Sequence, residues 1–345
     1  MQFRKLLVRA MLGGVVVLAG ALALGGIAEL VLARRDAHRF PPPGRLVDVG
    51  GRRLHLQCAG AASPTLLFEM GAGAWSVFWT RIHREMAGVT RSCLYDRAGF
   101  GWSDPGPLPR SPDALLADLQ AVVERSGERG PYVLVGHSMG GWLVRLYQAR
   151  HPESIVGMAL VESAHPRQWT ELPGEIWDVT RSSAGVLRWL SVAGRFGVLR
   201  LLTGQLAAQQ LPPDVIEAYR AAAVRPSALA ASASEIVNSE QLAAEVGRLG
   251  DLGDLPLVVV SAGRSFDAFR DVAPDWPFEE ANAIWSRLQR ELVTLSSRAW
   301  YRESPESTHN IHTDDPALVV TALKALVDTV RATATAGGGG AGNTP

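Results

Sequence analysis

A glycine-rich turn in the middle of the chain restricts its fold more than any other feature. The apolar run at residues 132–135 leads directly into Gly136-His137-Ser138-Met139-Gly140-Gly141, and a helical pattern follows to Arg150. Where Gly-x-Ser-x-Gly joins a strand to a helix, the reversal is so tight that side chains two positions either side of the serine would collide, so glycine stands there. The serine hydroxyl is thereby pushed out at the C-terminal end of a sheet, beside the amides that open the next helix.

The rest of the chain supplies that sheet. Gly50-Gly51 joins residues 46–49 to residues 54–58 as a hairpin signal, with glycine where the turn needs positive φ. Further short apolar runs end at Met70, Tyr95, Val161 and Ser261, mostly separated by helical patterns such as residues 112–125. Strands alternating with helices predict an α/β fold, a mostly parallel sheet covered on both faces. The rhythm changes to helices alone over residues 163–255, which reads as an insertion between two strands. Its Trp177, Trp189, Leu190, Phe196 and Leu199 either line an apolar pocket or pack the insertion's own core.

At the N-terminus, residues 10–28 carry no charge, with Arg4, Lys5 and Arg9 before them and Glu29, Arg34 and Arg35 after. A helix of about 20 residues spans a bilayer core, whereas the apolar part of a signal peptide runs about 7–15. The reading is an uncleaved membrane anchor, with a cleaved signal and secretion as the alternative. Basic residues flank both ends, and the positive-inside rule gives a small preference for an extracytoplasmic main domain. Segmentation follows: anchor or signal at 1–35, a stiff Pro41-Pro42-Pro43 linker at 36–44, the first part of the core at 45–162, the insertion at 163–255, the second part of the core at 256–332, and a glycine-rich tail, compositionally disordered, at 333–345.

The 345 residues carry 34 basic and 34 acidic side chains, so there is no basic footprint for a phosphate backbone and nucleic acid is not expected as a partner. No His-Glu-x-x-His occurs, and His309 with His312 lack further clustered ligands, so no metal is expected.

A serine at neutral pH needs an imidazole to take its proton. Of the eight histidines, His309 is best situated, in a late loop just before Asp314-Asp315-Pro316 and the last helix; His312 is the competitor. Serine first and histidine last is the chain order of triads built on a strand–turn–helix of this kind.

With these landmarks the sequence resembles the α/β-hydrolase family over residues 45–330. Glu69-Met70-Gly71-Ala72-Gly73 stands where that family has its oxyanion loop. Asp96-Arg97-Ala98-Gly99-Phe100-Gly101-Trp102-Ser103 follows the next strand, then come the serine turn, Glu162, the cap insertion and His309. The resemblance implies an eight-stranded, mostly parallel sheet flanked by helices, with a helical cap; the N-terminal transmembrane helix is read separately, from the uncharged residues 10–28. The resemblance also implies a serine hydrolase that cleaves a carboxylic ester or related acyl substrate through an acyl-enzyme on Ser138, without a cofactor. The backbone amides of Ala72 and Met139 are the implied oxyanion hole; the family's usual His-Gly reads Met70-Gly71 here. A serine nucleophile excludes the aspartate-based route of epoxide hydrolases and dehalogenases.

Two carboxylates compete for the third position. Glu162 ends a strongly apolar strand, where certain haloalkane dehalogenases keep their acid; Asp267 lies near the commoner position but one residue late. Glu162 is favoured, because the acid must orient the imidazole from a fixed support. In this fold the second strand lies antiparallel beside the fourth, which brings Cys58 towards Cys93; they are either bridged, as an exported domain permits, or two buried thiols.

Two other classes compete. Gly71-Ala72-Gly73-Ala74-Trp75-Ser76 followed by Asp96 resembles a dinucleotide fingerprint, but its third glycine is a serine. A catalytically silent binding protein on the same fold is the other, since fold does not dictate function.

Overall fold

The computed structural model describes residues 2–206, 208 and 210–338. Its strands are β1 (Arg45–Asp48), β2 (Arg53–Ala59), β3 (Thr65–Glu69), β4 (Ser92–Tyr95), β5 (Tyr132–His137), β6 (Ile155–Val161), β7 (Leu257–Ala262) and β8 (Ala299–Ser304). They form one sheet in the order β1-β2-β4-β3-β5-β6-β7-β8. β2 runs antiparallel to β1 and β4, and every other pair is parallel. The helices are α1 (Gln2–Arg39), α2 (Thr80–Ala87), α3 (Pro112–Arg125), α4 (Met139–Arg150), α5 (Gln168–Glu171), α6 (Gly174–Gly194), α7 (Ile216–Ala223), α8 (Pro226–Val246), α9 (Phe278–Glu291), α10 (Ile311–Asp314) and α11 (Pro316–Gly338).

Alternation along the central strands builds two cores. On β5, Tyr132 and Leu134 face Leu119 of α3 and Leu143 of α4, while Val133 and Val135 face Ile82 of α2 with Leu323 and Val327 of α11. Both faces are covered, as the continuous apolar runs of parallel strands require. α3 starts with an ordinary cap: the Ser111 hydroxyl accepts from the Ala114 amide and Pro112 opens the helix.

β4 and β5 lie on either side of β3, so the chain reverses its direction of winding there. A crevice opens at such a switch point beyond the C-terminal ends of the strands. The loop after β3 and the turn after β5 both border it. Between β6 and β7 the chain runs through α5, α6, the 3₁₀ segment Val198–Gln205, α7 and α8, which cover that same end of the sheet.

Three features depart from the sequence reading. α1 continues to Arg39, into the stretch expected to be linker, because residues 29–39 are good helix formers and the stop comes only at Pro41. α11 runs to Gly338 rather than ending near 332, its alanine-rich end carrying the helix on; the rest of the expected tail, residues 339–345, lies outside the described residues. β8 has no apolar pattern, since it is an edge strand whose residues are mostly half-exposed. Cys58 pairs opposite Cys93 in the β2–β4 register, and the two form a disulfide.

Candidate active site

The turn after β5 explains its glycines. A Cβ on Gly136 would stand 2.6 Å from the Gly141 Cα, and one on Gly140 would stand 2.3 Å from the Glu69 carbonyl oxygen. Between them Ser138 takes φ 51°, ψ −124°. Ser138 and Glu162 are the two non-glycine residues with positive φ among the described residues. Such backbone persists only where surrounding structure enforces it, and it concentrates at functional sites.

His309 joins these two strained positions. Its Nε2 lies 3.0 Å from Ser138 Oγ and its Nδ1 lies 3.1 Å from Glu162 Oε2. A carboxylate can only accept, so Nδ1 carries the proton and Nε2 is left to accept from the serine hydroxyl. Glu162 is fully buried, and its carboxylate is held from three sides. Oε1 accepts from the Ala262 amide at 2.6 Å and from Ser261 Oγ at 3.0 Å, while Oε2 accepts from Trp285 Nε1 at 2.9 Å. Asp267 is elsewhere: it accepts from Arg264 (2.8 Å), Arg270 (3.0 Å) and Asn282 (3.1 Å). Partial burial would raise its pKa, but these donors hold it below the usual carboxylate range.

His312 is not at the serine. Its ring stacks on Trp79, 4.8 Å between centroids and 3° from parallel, and burial pushes its pKa down to about 3. His137, within the serine turn, is driven well below the ordinary imidazole value by burial, with His312 and His309 beside it adding to the effect. Its Nε2–H donates to the His309 carbonyl at 3.0 Å, tying the histidine loop to the serine turn.

The loop after β3 is fixed by a buried charge cluster that sequence reasoning did not find. Arg97 donates to Glu69 (2.7 Å), to the Met70 and Gly71 carbonyls (2.8 and 2.7 Å) and twice to Glu235 of α8 (2.7 and 3.0 Å). Glu235 also accepts from the Gly73 amide at 2.9 Å, and Tyr95 donates to Glu69. Burial works against the Arg97 charge, yet Glu235 and Glu69 hold its pKa above the ordinary guanidinium value; burial raises Glu69. The loop between these anchors carries Ala72. Ala72 and Met139 line one cavity with Ser138 and His309, and the Met139 amide, opening α4, has no intrahelical partner.

Asp96 serves the scaffold. It faces His55 Nδ1 at 2.8 Å and accepts from the Ser76 and Trp102 amides at 2.8 and 3.1 Å, so its buried carboxylate is taken and has nothing to offer a ribose. Among the described residues, the cluster of His, Cys, Asp and Glu tight enough for a metal is Cys58, Cys93 and Glu128, and its sulfurs are already bridged.

The cavity above Ser138 measures about 480 Å³, within the range of small-molecule sites, and its wall is largely aromatic and aliphatic: Trp169, Leu172, Trp177, Phe266, Trp276. Such a site can hold an apolar group against a serine oxygen with an imidazole at its back.

Known proteins agree with this architecture. A family model described as alpha/beta hydrolase fold matches residues 64–183. An AB hydrolase superfamily protein of Gibberella zeae is 25% identical over 291 residues, covering 78% of this chain and 87% of its own. A thermophilic esterase from Thermogutta terrifontis superposes with a TM-score of 0.58 at 19% identity, over 83% of this chain and 98% of the esterase. The haloalkane dehalogenase DatA from Agrobacterium tumefaciens C58 does so with a TM-score of 0.62 at 16% identity, over 83% and 96%. At these identities the solved structures speak for the fold alone. With its sheet order, its strand–turn–helix at Ser138 and a matching family model over residues 64–183, this chain has the α/β-hydrolase fold.

Proposed function

We propose that the protein is a serine hydrolase that cleaves a carboxylic ester or related acyl substrate through an acyl-enzyme on Ser138. The observation that carries this reading is the single line from Ser138 Oγ through His309 to Glu162, at the base of an apolar cavity. Ser138 Oγ attacks the acyl carbon while its proton passes to His309 Nε2. Glu162 holds the ring in the required tautomer and offsets the charge the imidazole gains. The oxyanion is received by the amides of Ala72 and Met139, donors that need no reorganisation as charge develops. His309 then protonates the leaving alcohol, the ester bond breaks, and water activated by the same nitrogen releases the acid.

The cap, residues 163–255, shapes the acyl pocket in this account. α1 anchors the domain to a membrane, and the Cys58–Cys93 bridge supports an oxidising, extracytoplasmic side. Replacing Ser138 by alanine should lower kcat for a short activated ester by ~10⁶, on the model of other triads. Activity surviving in Ser138→Ala contradicts the reading.

A further inference from the structure

We propose that the outer face of the cap, formed by α6 and the 3₁₀ segment Val198–Gln205, sits in the bilayer interface beside α1 and holds the hydrolase domain on its membrane in one orientation. The inference rests on the reading of α1 as a membrane helix.

Depth is set by contacts between the cap and α1. The uncharged run of α1 ends at Glu29, which is buried. Its carboxylate accepts from Arg200 Nε at 2.6 Å and Nη2 at 3.0 Å, and Asp36, two turns further along α1, accepts from the same guanidinium. Arg200 therefore marks the level at which the apolar run gives way to charge. One turn deeper, ~5.4 Å along the axis, the cap touches α1 again. A Cβ on Gly25 would stand 2.5 Å from the Phe196 carbonyl oxygen, and one on Gly197 would stand 3.4 Å from the Gly25 carbonyl oxygen. The cap turn at residues 195–197 thus crosses α1 inside the uncharged run. Whatever medium surrounds that part of α1 also surrounds this turn.

The adjoining surface has the composition of an interfacial helix. Val186, Trp189 (77% exposed) and Val192 recur at every third position along α6, and Val198, Leu201 (83% exposed) and Leu202 follow the turn. No acidic residue occurs between Asp178 and Asp214, whereas Arg181, Arg188, Arg195 and Arg200 do, Arg200 being already paired with Glu29 and Asp36. Arg181 and Arg188 stand seven apart on one side of α6, and Arg195, at the cap that ends the helix, continues their file. An exposed apolar stripe bordered by arginines fits the boundary between acyl chains and anionic headgroups, where such helices bury their apolar face by ~5–10 Å. The inner face of α6, with Ile176, Thr180 and Ser183, lines the cavity above Ser138. α6 is then the layer between the cavity and the membrane.

The test uses the full chain in vesicles of phosphatidylcholine and phosphatidylglycerol. Because the native cysteines are bridged, a fluorophore can be attached to single substitutions: Trp189→Cys, Leu201→Cys, Val16→Cys in the middle of α1, and Ser297→Cys at the opposite edge of the sheet. Hydrolysis of an activated ester checks that each labelled variant is folded. Quenching by a lipid-borne nitroxide should be several-fold stronger at 189 and 201 than at 297, and strong at 16. Strong quenching at 16 with 189 and 201 matching 297 overturns the cap inference and leaves the anchor standing. No quenching at 16 removes the anchor, and the inference with it. Protection of 189 and 201 from both lipid-borne and water-soluble quenchers means a protein, such as a second copy, covers the face, and also overturns it.

Discussion

His309 Nδ1 lies 3.1 Å from Glu162 Oε2, on the side of the ring away from Ser138. Trp285, Ser261 and the Ala262 amide fix that carboxylate from behind. If Glu162 orients the imidazole, neutralising it without changing its shape should lower kcat by ~10⁴. Glu162→Gln is expected to show that loss for a short ester, whereas Asp267→Asn should stay within about tenfold of the parent because its partners are Arg264, Arg270 and Asn282. Steady-state kinetics on the two variants separates them, and the reverse ranking would return the acid to Asp267.

Legibility in the sequence followed the range of the interactions. Gly136, Ser138 and Gly140 could be read because the tight turn is decided by a few adjacent residues. His309 could be singled out as the candidate base because chain order and a late loop narrow the choice, and the structure brings its ring to Ser138. The sheet was legible wherever strands are buried on both faces, and β8 was not, because an edge strand needs no apolar run. Strand position favoured Glu162 over Asp267 as the candidate acid; the structure brings Glu162 and not Asp267 to His309, and the contact with Trp285 that holds it there comes from far along the chain in α9. The clamp of Arg97 on Glu235 joins the core to the cap and has no local signature either. The full length of α1 has no signature in hydropathy, because its charged residues continue the helix and meet Arg200.

Arg97 is buried between Glu69 and Glu235. Removing one member of a buried ion cluster leaves uncompensated charge, at a cost of about 3–5 kcal/mol. Arg97→Met should therefore lower the unfolding free energy obtained from urea titration by that amount, and should also loosen the loop that presents Ala72. A change under ~1 kcal/mol would show that the cluster is not structural in the sense argued.

Acid should destabilise the fold through histidines buried in their neutral form. Burial pushes His312 down to about 3, and His83 and His165 down to about 4. In the unfolded chain these rings titrate near ~6.5, so below that pH the unfolded state binds more protons than the native one and stability falls with pH. Their contribution is fully present above pH ~6.5 and is lost progressively towards the folded values. Unfolding free energies from urea titrations between pH 7 and pH 4 should fall with pH, and His312→Phe, which keeps the stack on Trp79, should flatten the slope by up to ~1.4 kcal/mol per pH unit. An unchanged slope in that variant would mean His312 is not held neutral.

The central claim is covalent, and intact-protein mass spectrometry tests it most directly. Incubation with a fluorophosphonate should add one phosphonyl group per chain, and peptide mapping should find it on Ser138 within the turn from β5 to α4. Ser138→Ala should stay unmodified, and His309→Ala should react far more slowly. Labelling at another serine, or labelling of Ser138→Ala at the parent rate, would contradict the account.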